Sequence, residues 1–135
     1  MRWRLFIQMV RRENLVEVNG LAGGKGIARV HHVVGLEELL GHGRLYARVV
    51  LPPGASVGWH QHVRDTEPYY ILSGEGDFYE SDINNVNERH HTKVHAGDVC
   101  VIEVGQWHCI ENNSEQDLEM MALIYNERGY DNSEN

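Results

Sequence analysis

Three histidines and one glutamate stand at spacings that could bring their side chains to a single metal ion. His60 and His62 are separated by one residue, Glu67 follows shortly after, and His108 lies further along the chain. Neutral imidazoles and a carboxylate form a borderline donor set, which suits Mn, Fe, Co, Ni, Cu or Zn and does not suit Ca or Mg. The set has no thiolate, so a closed structural zinc site is disfavoured.

Side-chain alternation restricts how these four residues can meet. His60 and His62 point to the same face of a strand, whereas Glu67 would point to the opposite face if the strand continued. The polar segment 63–66 therefore predicts a turn before Glu67. In an octahedral shell, the four ligands would leave two neighbouring positions for water, dioxygen or a chelating oxyacid.

The surrounding pattern consists mostly of short runs of β-forming residues between turn signals, which predicts an antiparallel sandwich or barrel. The length indicates one domain, which we place at 21–126, between an N-terminal extension at 1–20 and a flexible tail at 127–135. One helical turn is predicted at 36–40. Strands are predicted at 27–34, 44–51, 69–72, 77–80, 99–102 and 118–125.

Two glycine-framed motifs closely resemble those of the cupin superfamily. The first, Gly-x5-His-x-His-x4-Glu-x6-Gly, fits residues 54–74 at every position. The second, Gly-x5-Pro-x-Gly-x2-His-x3-Asn, fits residues 97–112 except that Glu103 replaces the proline, which puts the local turn geometry in question. The resemblance implies an all-β double-stranded β-helix, the antiparallel cupin jelly-roll barrel. It also implies a divalent metal ion bound inside by His60, His62, Glu67 and His108.

The flanking pattern is similar to small single-domain cupins of the oxalate-decarboxylase-like and sugar-isomerase-like groups, which often form homodimers. Such a resemblance leaves the reaction open, because one fold hosts many chemistries. A metal-dependent enzyme acting on a small oxyacid or sugar-like metabolite is the leading hypothesis, with decarboxylase, dioxygenase and isomerase activities all open. The alternatives are a non-catalytic binding or sensing protein and a β-rich interaction protein without metal. The sequence identifies no general acid or base.

Three further residues are candidates for substrate binding. Arg48 and Tyr46 share one face of their strand, so Arg48 could hold a substrate carboxylate if that face looks inward, and is a solvated charge if it looks outward. Tyr69 lies two residues after Glu67, so the two side chains would share one face of a strand. Tyr69 is therefore expected to line the pocket, as a core residue or as a substrate contact.

Several other residues receive structural interpretations. Trp59 and Trp107 each precede a ligand histidine and are expected to face away from the metal. One of Met120 and Met121 should line the cavity as apolar wall. Cys100 and Cys109 are expected to be reduced. His90, His91 and His95 are expected to diverge without forming a second metal site. The glycine-rich segment 23–26 is expected to be a turn and not a phosphate loop.

Composition excludes some classes of partner. The formal net charge of −8 disfavours binding to nucleic-acid phosphates. No apolar run is long enough to span a membrane, and the short run at 5–10 lacks the features of a signal peptide. We therefore expect a cytoplasmic protein with a small-molecule ligand. Met9 is a second candidate for the native start.

Overall fold

The computed structural model describes residues 9–128, which form eleven β-strands. In chain order these are β1 (Asn14–Asn19), β2 (Ile27–His32), β3 (Gly43–Leu51), β4 (Ser56–Gln61), β5 (Asp65–Thr66), β6 (Tyr69–Ser73), β7 (Glu75–Ser81), β8 (Arg89–His95), β9 (Val99–Cys100), β10 (Trp107–Glu111) and β11 (Leu118–Asn126). Two 3-10 turns, Leu21–Gly23 and Leu36–Leu39, complete the secondary structure of this range. Neither has the length needed to cross a membrane.

The strands form two antiparallel sheets. The larger has the order β1-β2-β3-β11-β6-β9, with β5 also paired to β11, and the smaller has the order β4-β10-β7-β8. One hydrophobic cluster contains residues of both sheets, including Val49 and Met120 from the larger and Phe78 and Ile110 from the smaller. The inner faces of the two sheets therefore pack on each other, which confirms the all-β prediction.

Alternation along β3 shows how the sequence selects the inner face. Ala47, Val49 and Leu51 are at most 3% exposed, whereas Tyr46, which directly precedes them, is 37% exposed. The register with β11 places Ala122 opposite Ala47, so buried positions meet buried positions across the pair. A slip of one residue would bring the polar face into the core, which fixes the pairing.

Two glycines allow the turn after β1 to pack directly on β4. A Cβ atom at Gly24 would lie 2.1 Å from the carbonyl oxygen of Ser56, and one at Gly58 would lie 2.2 Å from that of Ala22. Any larger residue at either position would push the two backbones apart. The segment at 23–26 is thus a packed turn, as expected from its departure from phosphate-loop spacing.

Most predicted elements lie within two residues of their observed bounds, and two differences have clear physical reasons. The predicted strand at 99–102 ends at Cys100, because the carbonyl of Ile102 accepts a hydrogen bond from the Thr66 hydroxyl at 2.8 Å instead of a sheet partner. The larger sheet begins at Asn14, inside the predicted extension, because β1 pairs with β2 along its whole length. Residues 1–8 and 129–135 lie outside the described range, so the run at 5–10 and the tail are described only in part.

Candidate metal centre

The cluster of His60, His62, Glu67 and His108 is assembled by strand register and one bend. His60 and His108 are cross-strand partners on β4 and β10, so their imidazoles lie side by side. The chain bends after His62, where the backbone exchanges hydrogen bonds with the segment before β10. Glu67 then enters from the short link between β5 and β6. The turn predicted from parity is therefore present.

The four ligand atoms form a compact set. The Nε2 atoms of His60, His62 and His108 lie 3.1 Å from one another. Oε1 of Glu67 lies 3.2 Å from Nε2 of His62 and of His108, and 3.5 Å from that of His60. A regular tetrahedron with edges of this length has its centre about 2 Å from each corner, which matches the bond lengths of transition metals to nitrogen and oxygen.

Hydrogen bonds at the far side of two rings fix which nitrogen faces the centre. Nδ1 of His60 lies 2.6 Å from the carbonyl oxygen of Gly58, and Nδ1 of His62 lies 2.7 Å from Oδ1 of Asp65. Because a carbonyl and a carboxylate only accept, both Nδ1 atoms carry the proton. In the neutral rings, each Nε2 therefore directs a lone pair toward the cluster.

The third imidazole, that of His108, is held by packing instead. Its side chain is fully buried and stacks on the Tyr69 ring, with 5.2 Å between centroids and 13° between planes. Its Nδ1 atom is buried and has no hydrogen-bond partner. This ring is thus oriented without the polar contact that fixes the other two.

The protonation states of the clustered side chains favour binding of a cation. Burial alone would raise the pKa of Glu67, but its polar contacts with the three histidines outweigh burial and hold the pKa well below its usual value. Burial dominates at His108 and lowers its pKa, so that ring is neutral near pH 7. Burial also opposes the charge of His62, yet hydrogen bonds to Glu67 and Asp65 raise its pKa.

The converging donors fit a divalent transition metal. Three nitrogen atoms and one carboxylate oxygen are gathered around one point in the described structure. Without a cation, lone pairs of neutral imidazoles would face one another at 3.1 Å, which is unfavourable. A metal ion bonded to Nε2 of each histidine and to Glu67 would relieve that repulsion. The octahedral shell with two free positions remains a prediction.

A second carboxylate supports His62 from behind. Asp65 receives Nδ1–H of His62 on one oxygen and Nε–H of Arg44 on the other, at 2.7 and 2.9 Å. Such carboxylate–histidine–metal chains orient the ligand and raise its basicity. Sequence reasoning treated this residue only as part of a turn. Its position three residues after a ligand histidine was the signal that could have identified it.

A cavity of about 320 Å³ opens beside the cluster. His60, His62 and Glu67 line one part of it, and most of its other lining residues are aliphatic. Arg44 and His32, neither of them predicted from the sequence, also line it.

The structure places the three predicted substrate-binding residues in different environments. Arg48 lies on the outer face of β3, where it donates to Glu119 at 2.6 Å and to Glu13 at 2.7 Å, and these partners raise its pKa. Tyr46 shares that outer face. The inward alternative for both is thus corrected, because parity places the aliphatic residues of β3 toward the core. Tyr69 lines the cavity and donates to Oε1 of Glu67 at 3.1 Å, and its contact with a substrate remains a prediction.

The tryptophans face away from the cluster, as expected. Trp59 and Trp107 stack on the outer face of the smaller sheet with 6.1 Å between ring centroids, and the Arg89 guanidinium lies 3.9 Å from the Trp59 ring. Met120 lines the cavity. Cys109 is buried and its pKa is raised to about 11 by burial, so it remains a thiol at neutral pH.

The departure at Glu103 is compensated locally. Its backbone N–H donates to the side-chain oxygen of Gln106 at 2.5 Å, and the N–H of Gln106 donates to the carbonyl of Glu103 at 3.0 Å. The Gln106 amide also donates to the carbonyl of Ser81 at 2.5 Å. These hydrogen bonds fix the turn before β10 and so position His108 without the proline.

The family assignment follows from comparison with known proteins. The model of the cupin domain family matches residues 47–124, more than half of the chain. This chain belongs to the cupin family. The double-stranded β-helix prediction is confirmed with it. The cupin is 40% identical over 107 residues to an oxalate-binding protein of Thermotoga maritima, covering 79% of this chain and 83% of that one.

Solved structures place the protein in the same group. The cupin matches the crystal structure of a predicted oxalate decarboxylase from Thermotoga maritima with a TM-score of 0.77 and 37% identity, covering 88% of this chain and 99% of the other. A structure from a study of oxalate oxidase shares the fold at a TM-score of 0.61 and 24% identity, covering 76% and 53%. The protein is a small cupin of the oxalate-decarboxylase-like group.

Proposed function

We propose that this cupin binds one divalent transition metal ion through His60, His62, Glu67 and His108 and uses it to bind a small oxyacid such as oxalate. The observation that carries the proposal is the convergence of three Nε2 atoms and a carboxylate oxygen within 3.5 Å of one another. The relative that binds oxalate supports the ligand class. When bound, the ion supplies Lewis acidity and coordination positions for ligand oxygens.

Mn, Fe, Ni, Co and Zn are the candidate ions, because each accepts imidazole and carboxylate donors. The chain's own residues would hold the rings in the required tautomer, keep Glu67 ionised and exclude water on the apolar side. Sugar-like metabolites remain a further ligand class, since adjacent hydroxyl or carbonyl oxygens can chelate in the same way.

Elemental analysis and calorimetry test this function. The purified protein, stripped with a chelator and reloaded with each of the five metals, should take up about one ion per chain. Oxalate should then bind the loaded protein and not the stripped protein, whereas acetate, which cannot chelate through two carboxylates, serves as the control. Absence of uptake of all five metals would contradict the proposal.

An enzymatic role is the second candidate, and one observation favours it. His32 lines the cavity without belonging to the four-residue cluster, so it offers an acid–base group near a bound ligand. Turnover of oxalate by the Mn and Fe forms, followed as formate, carbon dioxide and oxygen consumption, distinguishes the two roles. Binding without any product supports the non-catalytic role.

We also propose a homodimer, formed through the outer face of the larger sheet. Tyr70, Leu72 and Val99 lie on this face and are 49%, 38% and 61% exposed. Exposed apolar groups at neighbouring positions are typical of interaction surfaces. Light scattering of the wild type and of Tyr70→Glu tests the proposal: the wild type should have twice the monomer mass and the variant should dissociate.

A further inference from the structure

The cavity beside the metal cluster is larger than oxalate requires. Its volume is about 320 Å³, at the lower end of the range for small-molecule ligand sites. Since one water accounts for about 30 Å³ of the liquid, the space corresponds to about ten waters. Oxalate consists of two carboxylates joined by one bond, so it would leave much of this space filled by solvent.

The walls of this space are aliphatic. Leu45 and Val49 come from β3, Met120 and Ile124 from β11, and Val18 from β1. They belong to the inner face of the larger sheet, where alternation directs apolar residues inward. Water against such walls is unfavourable, and an apolar group that displaces it gains binding free energy.

The polar part of the cavity suits an anionic head group. Its lining charges are Glu67, which belongs to the metal cluster, and Arg44, whose side chain is 57% exposed. Arg44 uses Nε to bind Asp65, and no described residue accepts a hydrogen bond from its Nη groups. A cationic side chain at the solvent-exposed part of the lining attracts carboxylates, which then reach the metal ligands.

We propose that the natural ligand is a 2-oxo or 2-hydroxy carboxylic acid with an aliphatic chain, larger than oxalate. This inference rests on the proposed function, because the oxygens at positions one and two of the acid would chelate the metal. The chain would lie against Leu45, Val49 and Ile124. Oxalate shares the chelating head and lacks the part that the aliphatic walls recognise.

A homologous series of ligands tests this inference. Wild-type protein loaded with Ni²⁺ is titrated by calorimetry with oxalate and with straight-chain 2-oxo acids from three to six carbons. Affinity should rise about fourfold for each added methylene, the gain expected for burying that group. Affinity that is unchanged or falls along the series would overturn the inference.

A pair of variants tests the location of the chain. Val18→Phe fills the cavity from β1 and should weaken binding of the six-carbon acid by about tenfold or more, the value of roughly two methylenes. Binding of oxalate should change by less than about twofold. Val16→Phe, the same change on the same strand at a residue outside the cavity lining, is the matched control. Equal losses in both variants would overturn the assigned position.

Metal content separates this inference from the proposed function. It is measured for every sample before titration. A protein that takes up metal and binds oxalate, yet shows no dependence on chain length, contradicts the aliphatic ligand alone. A protein that takes up none of the five metals contradicts the proposed function, and this inference is overturned with it.

Discussion

Two histidine-rich regions of the described chain differ in how their imidazoles are partnered. In the metal cluster, three Nε2 atoms approach one another to 3.1 Å and share one glutamate oxygen. Along β8 each histidine bonds to a carboxylate of its own, and each side chain is about half-exposed: His90 to Asp82, His91 to Asp77 and His95 to Glu75. The imidazoles of the metal cluster converge on one point, and those of β8 do not.

Register and parity explain this difference. His60 and His108 are opposite each other across β4 and β10, and His62 lies on the same face, so three rings meet. Adjacent residues on a strand point to opposite faces, so His90 and His91 diverge. The three β8 histidines lie opposite Glu80, Tyr79 and Glu75 of β7, and each imidazole bonds to a different carboxylate. Convergence of imidazoles on one point thus depends on their shared orientation and not on the number of histidines.

The largest expected effect comes from removing a ligand in the buried cluster. His62→Ala should reduce metal affinity by more than about 100-fold, because loss of even an outer partner of a ligand costs 10–100-fold. Competition titration against a metal chelator measures the change. His91→Ala, a half-exposed histidine on β8, should keep wild-type affinity. Equal losses in both variants would mean that the two regions do not differ as described.

Metal removal should also distinguish the two regions through stability. At free metal 100 times the dissociation constant, binding to the native state adds about 2.7 kcal/mol to the free energy of unfolding. Urea denaturation with and without metal measures this difference. The metal-dependent gain should be retained in His91→Ala and lost in His62→Ala. A gain that survives in His62→Ala would place the ion elsewhere.

A smaller effect is expected from the carboxylate behind His62. Asp65→Asn keeps an oxygen for Nδ1–H of His62 but removes the charge that raises ring basicity, so metal affinity should fall about 10–100-fold. Asp82→Asn, which changes the carboxylate partner of His90, is the matched control on the exposed side. The same titration applies. Unchanged affinity in Asp65→Asn would show that the tautomer of His62 is held by other contacts.

The smallest effect concerns the exposed cluster and depends on pH. Burial alone would raise the pKa of Asp77, but hydrogen bonds from Asn113, His91 and Lys93 lower it to about 2, from 3.8. Because the folded-state pKa is depressed, the stabilisation is present above pH 3.8 and is lost as the pH falls toward 2.

Asp77→Asn tests this dependence. Between pH 5 and 2 the wild type should lose at most about 2 kcal/mol more of its free energy of unfolding than the variant. Denaturant titrations across this range measure the difference. Glu75→Gln, a neighbouring exposed carboxylate on β7, is the control and should follow the wild type. A variant with the wild-type pH profile would contradict the role of Asp77.

Local patterns predicted most of the framework. Runs of strand-forming residues bounded by turn residues placed β3, β6 and β11 closely. The motif spacing predicted the four metal ligands, and parity alone required the bend before Glu67. Each of these features depends on residues within a single strand, turn or motif.

Other features depended on residues distant in sequence. Arg48 and Tyr46 have a clear common face in the sequence, but which face is inward depended on pairing with β2 and β11. The support of His62 by Asp65 and Arg44 joins two separate segments. Strand β1 is exposed at every position except the half-buried Val18, so it lacks the apolar–polar contrast that would predict its place in the sheet.

The sequence by itself indicated the fold family and the four candidate metal ligands, because two short motifs resemble those of cupins. Only the tertiary structure decided which carboxylates partner the β8 histidines, that Arg48 faces solvent-side carboxylates, and that an aliphatic cavity lies beside the cluster. These depend on which strands become neighbours. Long-range pairing, which joins residues far apart along the chain, is therefore the physical origin of the ligand site.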